Sequence, residues 1–414
     1  MSFDRSPFAK VWRSVSNHGL RAGLQDAAAR WARRRFRVPY DILEAYGWVV
    51  SQEHRAALRP PKAGPLRINW LVPTADGGGK IGGLFNVYRA IHYLERWGHK
   101  NCVYDVNRNT IDSKQAKQIV HQHYFQVDAE IRTLHDGAAD SDVLVATDWR
   151  TAYAARALGN TAQKFYFVQD LEYLFHPEGS LREFAKQTYQ WNFRGVTAGE
   201  WIADTLRKEF GMECSAFSFS YDRDVYSPKG THRLPGQRKR VLFYARPETE
   251  RRGFELGILA LSIVAKNMPD TEFVLVGSSL PSVKLPFPAI LPGALMSREL
   301  GALYRSCDVA LVLSHTNVSL LPLELMACGC AVVSNSGPNV EWLLTEETAQ
   351  LADASPGALA DAVLALLRDD ELRARRAAAG LAFAEQTDWG AEIKRIESAF
   401  YRGLDIVHSG VGSE

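Results

Sequence analysis

Apolar and polar residues alternate in blocks along this chain, and the blocks come in two runs. Leu66–Val72 (LRINWLV) is a short apolar run that predicts a strand. A glycine-rich loop, Thr74–Gly83, follows it, and Leu84–Trp97 then repeats apolar residues at helical spacing. Asn101–Val106, Asp142–Ala146, Lys164–Val168 and Gly195–Thr197 predict further strands, with helical stretches between most of them. The alternation stops at Tyr221–Gln237, which is polar, carries Pro and Gly, and reads as a linker. It restarts with strands at Arg240–Ala245, Glu272–Val276, Asp308–Leu313, Ala331–Ser334 and Gln350–Ala352. Helices are predicted at Phe254–Lys266 and Arg298–Arg305, and three more segments lie between Pro356 and Tyr401. Strands alternating with helices imply parallel sheets covered on both faces. The α/β reading is two doubly wound, Rossmann-like domains facing a central crevice outside the carboxyl ends of both sheets, where ligands of such sheets bind.

Residues 1–63 read as an amphipathic, helical N-terminal extension ending in Arg59-Pro60-Pro61. The expected boundaries are 1–63 for this extension, 64–220 for the first domain, 221–239 for the linker, 240–386 for the second domain and 387–414 for a C-terminal helix. A chain of 414 residues is too long for one ordinary core, which agrees. Hydrophobic residues at 46% and charged residues at 23% are ordinary for a soluble globular protein. The net charge of +2 names no partner, and no stretch joins basic residues to an RNA-binding aromatic signature, so nucleic acid is not expected. The first residues lack a signal-peptide core, and no run of about 18 apolar residues occurs. The expected location is cytoplasmic. Arg30, Arg33, Arg34, Arg35 and Arg37 cluster around Trp31 and Phe36, a pattern that fits either peripheral docking on the anionic inner face of a plasma membrane or a solvated helix face. Five cysteines show no metal-ligand spacing.

The chemistry concentrates in Ser314–Cys330, SHTNVSLLPLELMACGC. It reads as a strand end, a polar loop and a short helix opening near Pro322. Helix N-termini at the carboxyl edge of a parallel sheet attract anions. Glu324, one turn in, is suited to accept hydrogen bonds from sugar hydroxyls, as an acidic residue does for ribose in other nucleotide folds. Arg246, after the strand Arg240–Ala245, and Arg252-Gly253, before the next helix, offer guanidinium forks that match phosphate oxygens. Read alone, they are equally two surface arginines in a charged loop with Glu248, Glu250 and Arg251.

Pro322, Leu323, Glu324, Met326, Ala327 and Gly329, followed by Ala331-Val332-Val333, resemble the donor-site motif of retaining, family-4-type glycosyltransferases of the GT-B fold. The resemblance spans about residues 66–400. It implies a nucleotide-sugar donor held by Gly82, Gly83, Arg246, Arg252, Gly253, Thr316, Asn317, Ser319, Leu320, Leu321 and Glu324. Two departures stand out. The family's first Glu, eight positions before Glu324, is Thr316 here, and Arg252 stands where a Lys is usual. The resemblance also implies that the last helix, opened by Thr387-Asp388-Trp389, crosses back onto the first domain.

Phe165–Ser180 ends a strand at Gln169-Asp170 and continues with Glu172, His176 and Glu178. With Asp148-Trp149-Arg150 it is similar to bacterial rhamnosyltransferases of cell-surface polysaccharide assembly, which also lack that first Glu. This implies Asp170 and Glu172 as catalytic candidates and Asp148, Arg150 and His176 as acceptor-binding candidates. The bland reading of Asp170 and Glu172 is capping or ion pairing in a loop. The expected function is transfer of L-rhamnose from dTDP-L-rhamnose to a glycan or lipid-linked oligosaccharide, with retained configuration. A nucleotide-sugar 2-epimerase and a non-catalytic glycan- or nucleotide-binding protein are the alternatives. No cofactor beyond the nucleotide sugar is expected. No metal is expected either, because fixed arginines can carry the diphosphate charge and no Asp-x-Asp pair suited to Mg²⁺ stands out.

Overall fold

The computed structural model describes residues 41–406 apart from 62, 77–81, 109, 136, 231–236, 279, 281–282 and 294. The Arg30–Arg37 cluster, and the helical reading of residues 1–40, lie outside the described residues. Within them the chain divides into two units. The first holds the residues through Val196, Leu206–Ser215 and those from Arg395 onward; the second holds Thr197–Thr205 and Ala216–Lys394.

In the first unit, Ile42–Tyr46 (α1) is capped by Asp41, whose carboxylate accepts from the Leu43 and Glu44 amides. The chain from Ser51 to Pro61 is irregular rather than helical. Its backbone is drawn into other hydrogen bonds: His54 N–H donates to Arg156 O at 2.9 Å and Ala57 N–H to Gly159 O at 3.0 Å. The Lys164 ammonium adds a bond to Arg156 O at 3.1 Å and one to His54 O. Arg67–Val72 (β1) has five of its six residues buried, as expected of a strand covered on both faces. Gly82–Arg96 (α2), Lys100–Asp105 (β2), Ser113–His123 (α3), Glu130–Thr133 (β3), Ser141–Ala146 (β4), Trp149–Arg156 (α4), Thr161–Val168 (β5), Ser180–Gln187 (α5), Arg194–Ala198 (β6), Glu200–Phe210 (α6) and Cys214–Phe217 (β7) follow, the ends of β6 and β7 and the first half of α6 being counted with the second unit. The seven-stranded sheet has the order β3-β2-β1-β4-β5-β6-β7. β1 runs parallel to both β2 and β4.

The second unit repeats the scheme. Arg240–Tyr244 (β8), Phe254–Asn267 (α7), Glu272–Val276 (β9), Ile290–Gly293 (β10), Ser297–Arg305 (α8), Val309–Val312 (β11), Leu321–Ala327 (α9), Ala331–Asn335 (β12), Pro338–Glu341 (α10) and Gln350–Ala352 (β13) build a six-stranded sheet, β10-β9-β8-β11-β12-β13. Pro356–Arg368 (α11), Asp370–Gln386 (α12) and Trp389–Gly403 (α13) close the chain. Val241, Phe243, Leu311 and Val333 from the strands pack with Leu261, Val264, Leu359 and Leu366 from α7 and α11. Each such buried side chain is worth about 1.5–3 kcal/mol. Gly257 lets α7 sit on β8, since a Cβ there would stand 2.2 Å from the Phe243 ring.

Beyond Lys394 the last helix belongs to the first unit. Phe400 is fully buried against Phe165 and Trp70, at centroid distances of 4.8 and 6.2 Å. Glu397 and His99 form a pair with side chains 3% and 1% exposed, Oε1 to Nε2 at 2.8 Å. His99 Nδ1 accepts the Leu66 N–H at 2.9 Å, which puts the ring proton on Nε2, facing the carboxylate. Glu397→Ala should therefore cost about 1.5–3 kcal/mol, the worth of a hydrogen bond to a charged group, and leave a buried N–H unpaired. Glu397→Gln should cost less, because its amide oxygen can still accept. Urea midpoints of the two variants check this; equal midpoints would show that packing, not the pair, holds the helix.

Candidate active site

The strand order of the second unit reverses between β8 and β11, so the loops leaving their carboxyl ends diverge there and open a crevice in such sheets. These loops are residues 245–253 and 313–320. Arg252 Nη1 donates to Ser314 Oγ at 2.7 Å and to Asn317 O at 3.2 Å, joining the two loops. Arg246 Nε pairs with Glu248 Oε1 at 3.1 Å, and Ser278 Oγ donates to the other oxygen of Glu248. Burial works against the charge of Arg246, but Tyr244 and Glu248 together raise its pKa above the usual value. Gly253 is left-handed (φ 60°, ψ 44°), a conformation that favours glycine, and it opens α7.

The second loop is locked from below. Ser314 N–H donates to Asn335 Oδ1 at 2.9 Å, and Asn335 Nδ2 returns a bond to Ser314 O at 2.9 Å. Asn317 is 2% exposed, with its amide spent on Ala198 O at 2.9 Å and the Trp342 indole N–H at 2.8 Å. Thr316 is also 2% exposed. Their side chains are therefore part of the loop's support and are not on its surface. Ser319 and Leu320 lead into α9, whose N-cap is Leu320 and whose first residue is Leu321. Glu324, half-buried in that helix, shares a side-chain hydrogen bond with Tyr226. Tyr226 stacks on Tyr304 at 5.8 Å, and burial first, then the Glu324 charge, pushes both phenols up. Tyr226 was hidden from sequence reasoning inside a stretch that looks like a linker; its structural role leaves no motif.

In the first unit the order reverses between β1 and β4. Gly82 and Gly83 begin α2 rather than ending a loop, and Gly83 O accepts from Gln169 Nε2 at 3.0 Å. They lie in this unit, whereas the other donor-binding candidates lie in the second. Asp148 caps α4 through the Thr151 amide at 2.8 Å. Glu172 Oε2 accepts the Trp149 N–H at 2.6 Å and the Tyr166 hydroxyl at 2.7 Å. Arg150 lies 5.3 Å from the Trp149 ring centroid, and His176 meets that ring edge-on at 5.8 Å. Trp149 thus gathers Asp148, Arg150, Glu172 and His176. Asp170, 8% exposed, accepts the Leu171 N–H at 2.9 Å. Burial, then the Asp148 charge, raises Glu172 well above the ordinary carboxylate range.

Two Asp-x-Asp sequences are present, 140–142 and 222–224. Asp142, the second residue of β4, is bridged by Arg67, Nη2 to Oδ1 at 2.8 Å. A shallow cavity of about 260 Å³ is lined by His92, Glu95, Arg96, His121, Gln126 and Asp128. It lies toward the amino ends of β2 and β3, and none of the candidate residues borders it.

A family model described as "WsaF, C-terminal domain" matches residues 239–364, the stretch carrying the Arg246, Arg252 and Glu324 loops. The O-antigen biosynthesis protein RfbC of Myxococcus xanthus is 37% identical over 265 residues, 62% of this chain and 20% of that protein. A phosphatidyl-myo-inositol mannosyltransferase of Mycobacterium tuberculosis is 27% identical over 208 residues, 47% of this chain and 53% of that protein. The chain thus spans about a fifth of the length of the first relative and about half of the second. The solved structure of Anabaena Alr3699/HepE in complex with UDP and glucose is similar at a TM-score of 0.61 and 15% identity, covering 81% of this chain and 100% of that one. Likeness to solved structures of this kind shows the GT-B fold.

The raised pKa of Glu172 has a stability consequence. A carboxyl whose folded pKa exceeds its unfolded value contributes stability that is complete below the unfolded pKa and is lost as pH rises through the folded one. Glu172→Gln keeps an acceptor for Trp149 and Tyr166 and cannot ionise. Its melting temperature should equal or exceed that of the unaltered protein at pH 8 and lose that advantage near pH 4.5. A variant that is less stable at pH 8 would show that the charge itself is stabilising.

Proposed function

We propose that the protein transfers a sugar from a nucleotide diphosphate donor to a glycan or lipid-linked acceptor, with the anomeric configuration retained. The observation that carries this reading is the Arg252 bridge between the loops that leave β8 and β11, inside the stretch matching the WsaF C-terminal model. Support also comes from a curated relative named as a mannosyltransferase, and from a structure of the same fold that holds UDP and glucose. Departure of the nucleotide builds negative charge on its diphosphate, and preorganised guanidinium donors stabilise that charge without reorganising. Glu324, steadied by Tyr226, accepts a hydrogen bond from the nucleotide's sugar ring. In the first unit the Trp149 cluster, with Asp148, Arg150, Glu172 and His176, is proposed to orient the acceptor, and Asp170 stands beside it. The name of the RfbC relative favours an acceptor of O-antigen type. The resemblance to rhamnosyltransferases makes dTDP-L-rhamnose the first donor to try, at the inner face of the plasma membrane.

Arg252→Ala should lower kcat/KM by about 2–4 kcal/mol in transition-state terms, the scale of one preorganised donor. Arg246→Ala should fall at the low end of that range, because Glu248 already compensates part of its charge. Wild-type turnover in both variants would remove the phosphate assignment. Activity is expected to persist in EDTA; complete loss that Mg²⁺ or Mn²⁺ restores would count against it.

Glu324→Gln should weaken deoxythymidine diphosphate by about 1.5–3 kcal/mol, since deoxyribose offers one ring hydroxyl to a charged acceptor. Unchanged affinity by calorimetry would refute the contact. A panel of nucleotide sugars, assayed with and without a lipid-linked saccharide, tests the whole reading. Transfer that needs the acceptor supports it, and release of nucleotide with rearranged sugar and no acceptor would favour an epimerase.

A further inference from the structure

Residues 313–318 of the loop that leaves β11 are buried at every position but one. Leu313, Ser314, Thr316, Asn317 and Val318 are each at most 3% exposed, whereas His315 among them is exposed. The backbone around it is tied down. His315 N–H donates to Arg251 O at 2.9 Å, and Asn339 Nδ2 bonds both Ser314 O at 2.9 Å and Thr316 O at 2.6 Å. The imidazole is thus the side chain that this anchored loop presents at its surface.

The ring is also placed. Its Nε2 lies 3.1 Å from the point where a Cβ on residue 253 would stand, so the glycine lets the ring lie against the backbone that enters α7. Arg252, the preceding residue, bonds Ser314, the residue before His315. Gly253, the N-cap of the 14-residue α7, makes no side-chain cap bond to its first amides. Among the described residues the ring makes no hydrogen bond or ion pair. Partial burial lowers the His315 pKa below the ordinary histidine value, so the ring is neutral at pH 7. A neutral imidazole offers one N–H donor and one acceptor.

We propose that His315 is a ligand-contacting residue that donates its ring N–H to the diphosphate of the nucleotide donor. The inference rests on the donor-site reading above. A carboxylate at position 316 could not do this work from a side chain that is 2% exposed, whereas the neighbouring imidazole can reach a ligand. In the transfer step the sugar C1–O bond breaks, and its electron pair stays on the departing phosphate oxygen. The acceptor oxygen bonds to C1, and the acceptor's hydroxyl proton passes to the phosphate. His315 keeps its own proton throughout and contributes a hydrogen bond that strengthens as charge builds on that oxygen.

Calorimetry with UDP and deoxythymidine diphosphate, and with uridine and thymidine as controls, tests the proposal. His315→Ala should weaken the diphosphate that the protein binds by about tenfold, the loss of one hydrogen bond to a charged group. Nucleoside affinity and melting temperature should stay unchanged, since the ring is exposed. His315→Gln, which retains an N–H donor, should recover most of the loss. If Arg252→Ala weakens diphosphate binding and His315→Ala does not, the proposal fails and the donor-site reading stands. Equal losses for diphosphate and nucleoside would make His315 a loop support and also overturn it. If the wild-type protein binds neither diphosphate, both readings fall.

Discussion

The candidate site of the second unit depends on the reciprocal pair between the Ser314 backbone and the Asn335 amide, two bonds of 2.9 Å between the carboxyl ends of β11 and β12. Polar backbone that leaves a buried strand must find partners, and a buried group left unpaired costs about 1–3 kcal/mol. Asn335 meets this need at the Ser314 N–H and carbonyl, Asn339 at the Ser314 and Thr316 carbonyls, and Arg252 with the Ser314 hydroxyl at the Asn317 carbonyl. Side-chain partners thus hold this loop where a glycine-rich turn would rely on backbone freedom alone. The loop is rigid because its polar groups are satisfied, and a rigid loop can hold Arg252 in one place.

The first unit puts the same strand geometry to a different use. Its carboxyl-end loops place acids, phenols and an indole together, with the Arg150 guanidinium over the Trp149 ring. Glu172 sits between Tyr166 and the Trp149 amide, where burial, and then the Asp148 charge, disfavour its ionised form. Such a cluster offers both hydrogen-bond donors and acceptors, as hydroxyl groups do. One sheet topology used twice thus carries two different sets of side chains at its carboxyl-end loops.

The interior strands were legible because they are apolar on both faces. β1, β4, β8, β11 and β12 all lie inside their sheets, and each showed as a short hydrophobic run. The strands that sequence reading missed are β3, β7 and β10, and all three are edges. β3 alternates exposed and buried positions, and β10 has three exposed residues in four. An edge strand has a neighbour on one side only, so its residues need not be apolar. Ser51–Pro61 was misread for a related reason: helical periodicity is a local signal, while the carbonyls of Arg156, Gly159 and Thr161 that hold this segment are distant in sequence. In the candidate site, motif spacing singles out Arg246, Arg252 and Glu324. It does not single out their partners Glu248, Ser314 and Tyr226, because side chains that orient another group are chosen by local geometry that spacing does not record.

The Thr316 substitution looks in the sequence like the loss of a functional carboxylate. The burial of the loop changes its meaning. A carboxylate placed at a side chain 2% exposed would carry a desolvation cost of several kcal/mol before any partner offset it. Threonine has no such cost, and the Thr316 carbonyl still ties the loop to Asn339. The loop and its residue 316 are therefore mutually consistent: the asparagine anchoring that draws position 316 inward is the same anchoring that turns position 315 outward. In this chain position 316 thus serves the loop through its backbone, beside the Arg252 bridge to Ser314 and Asn317.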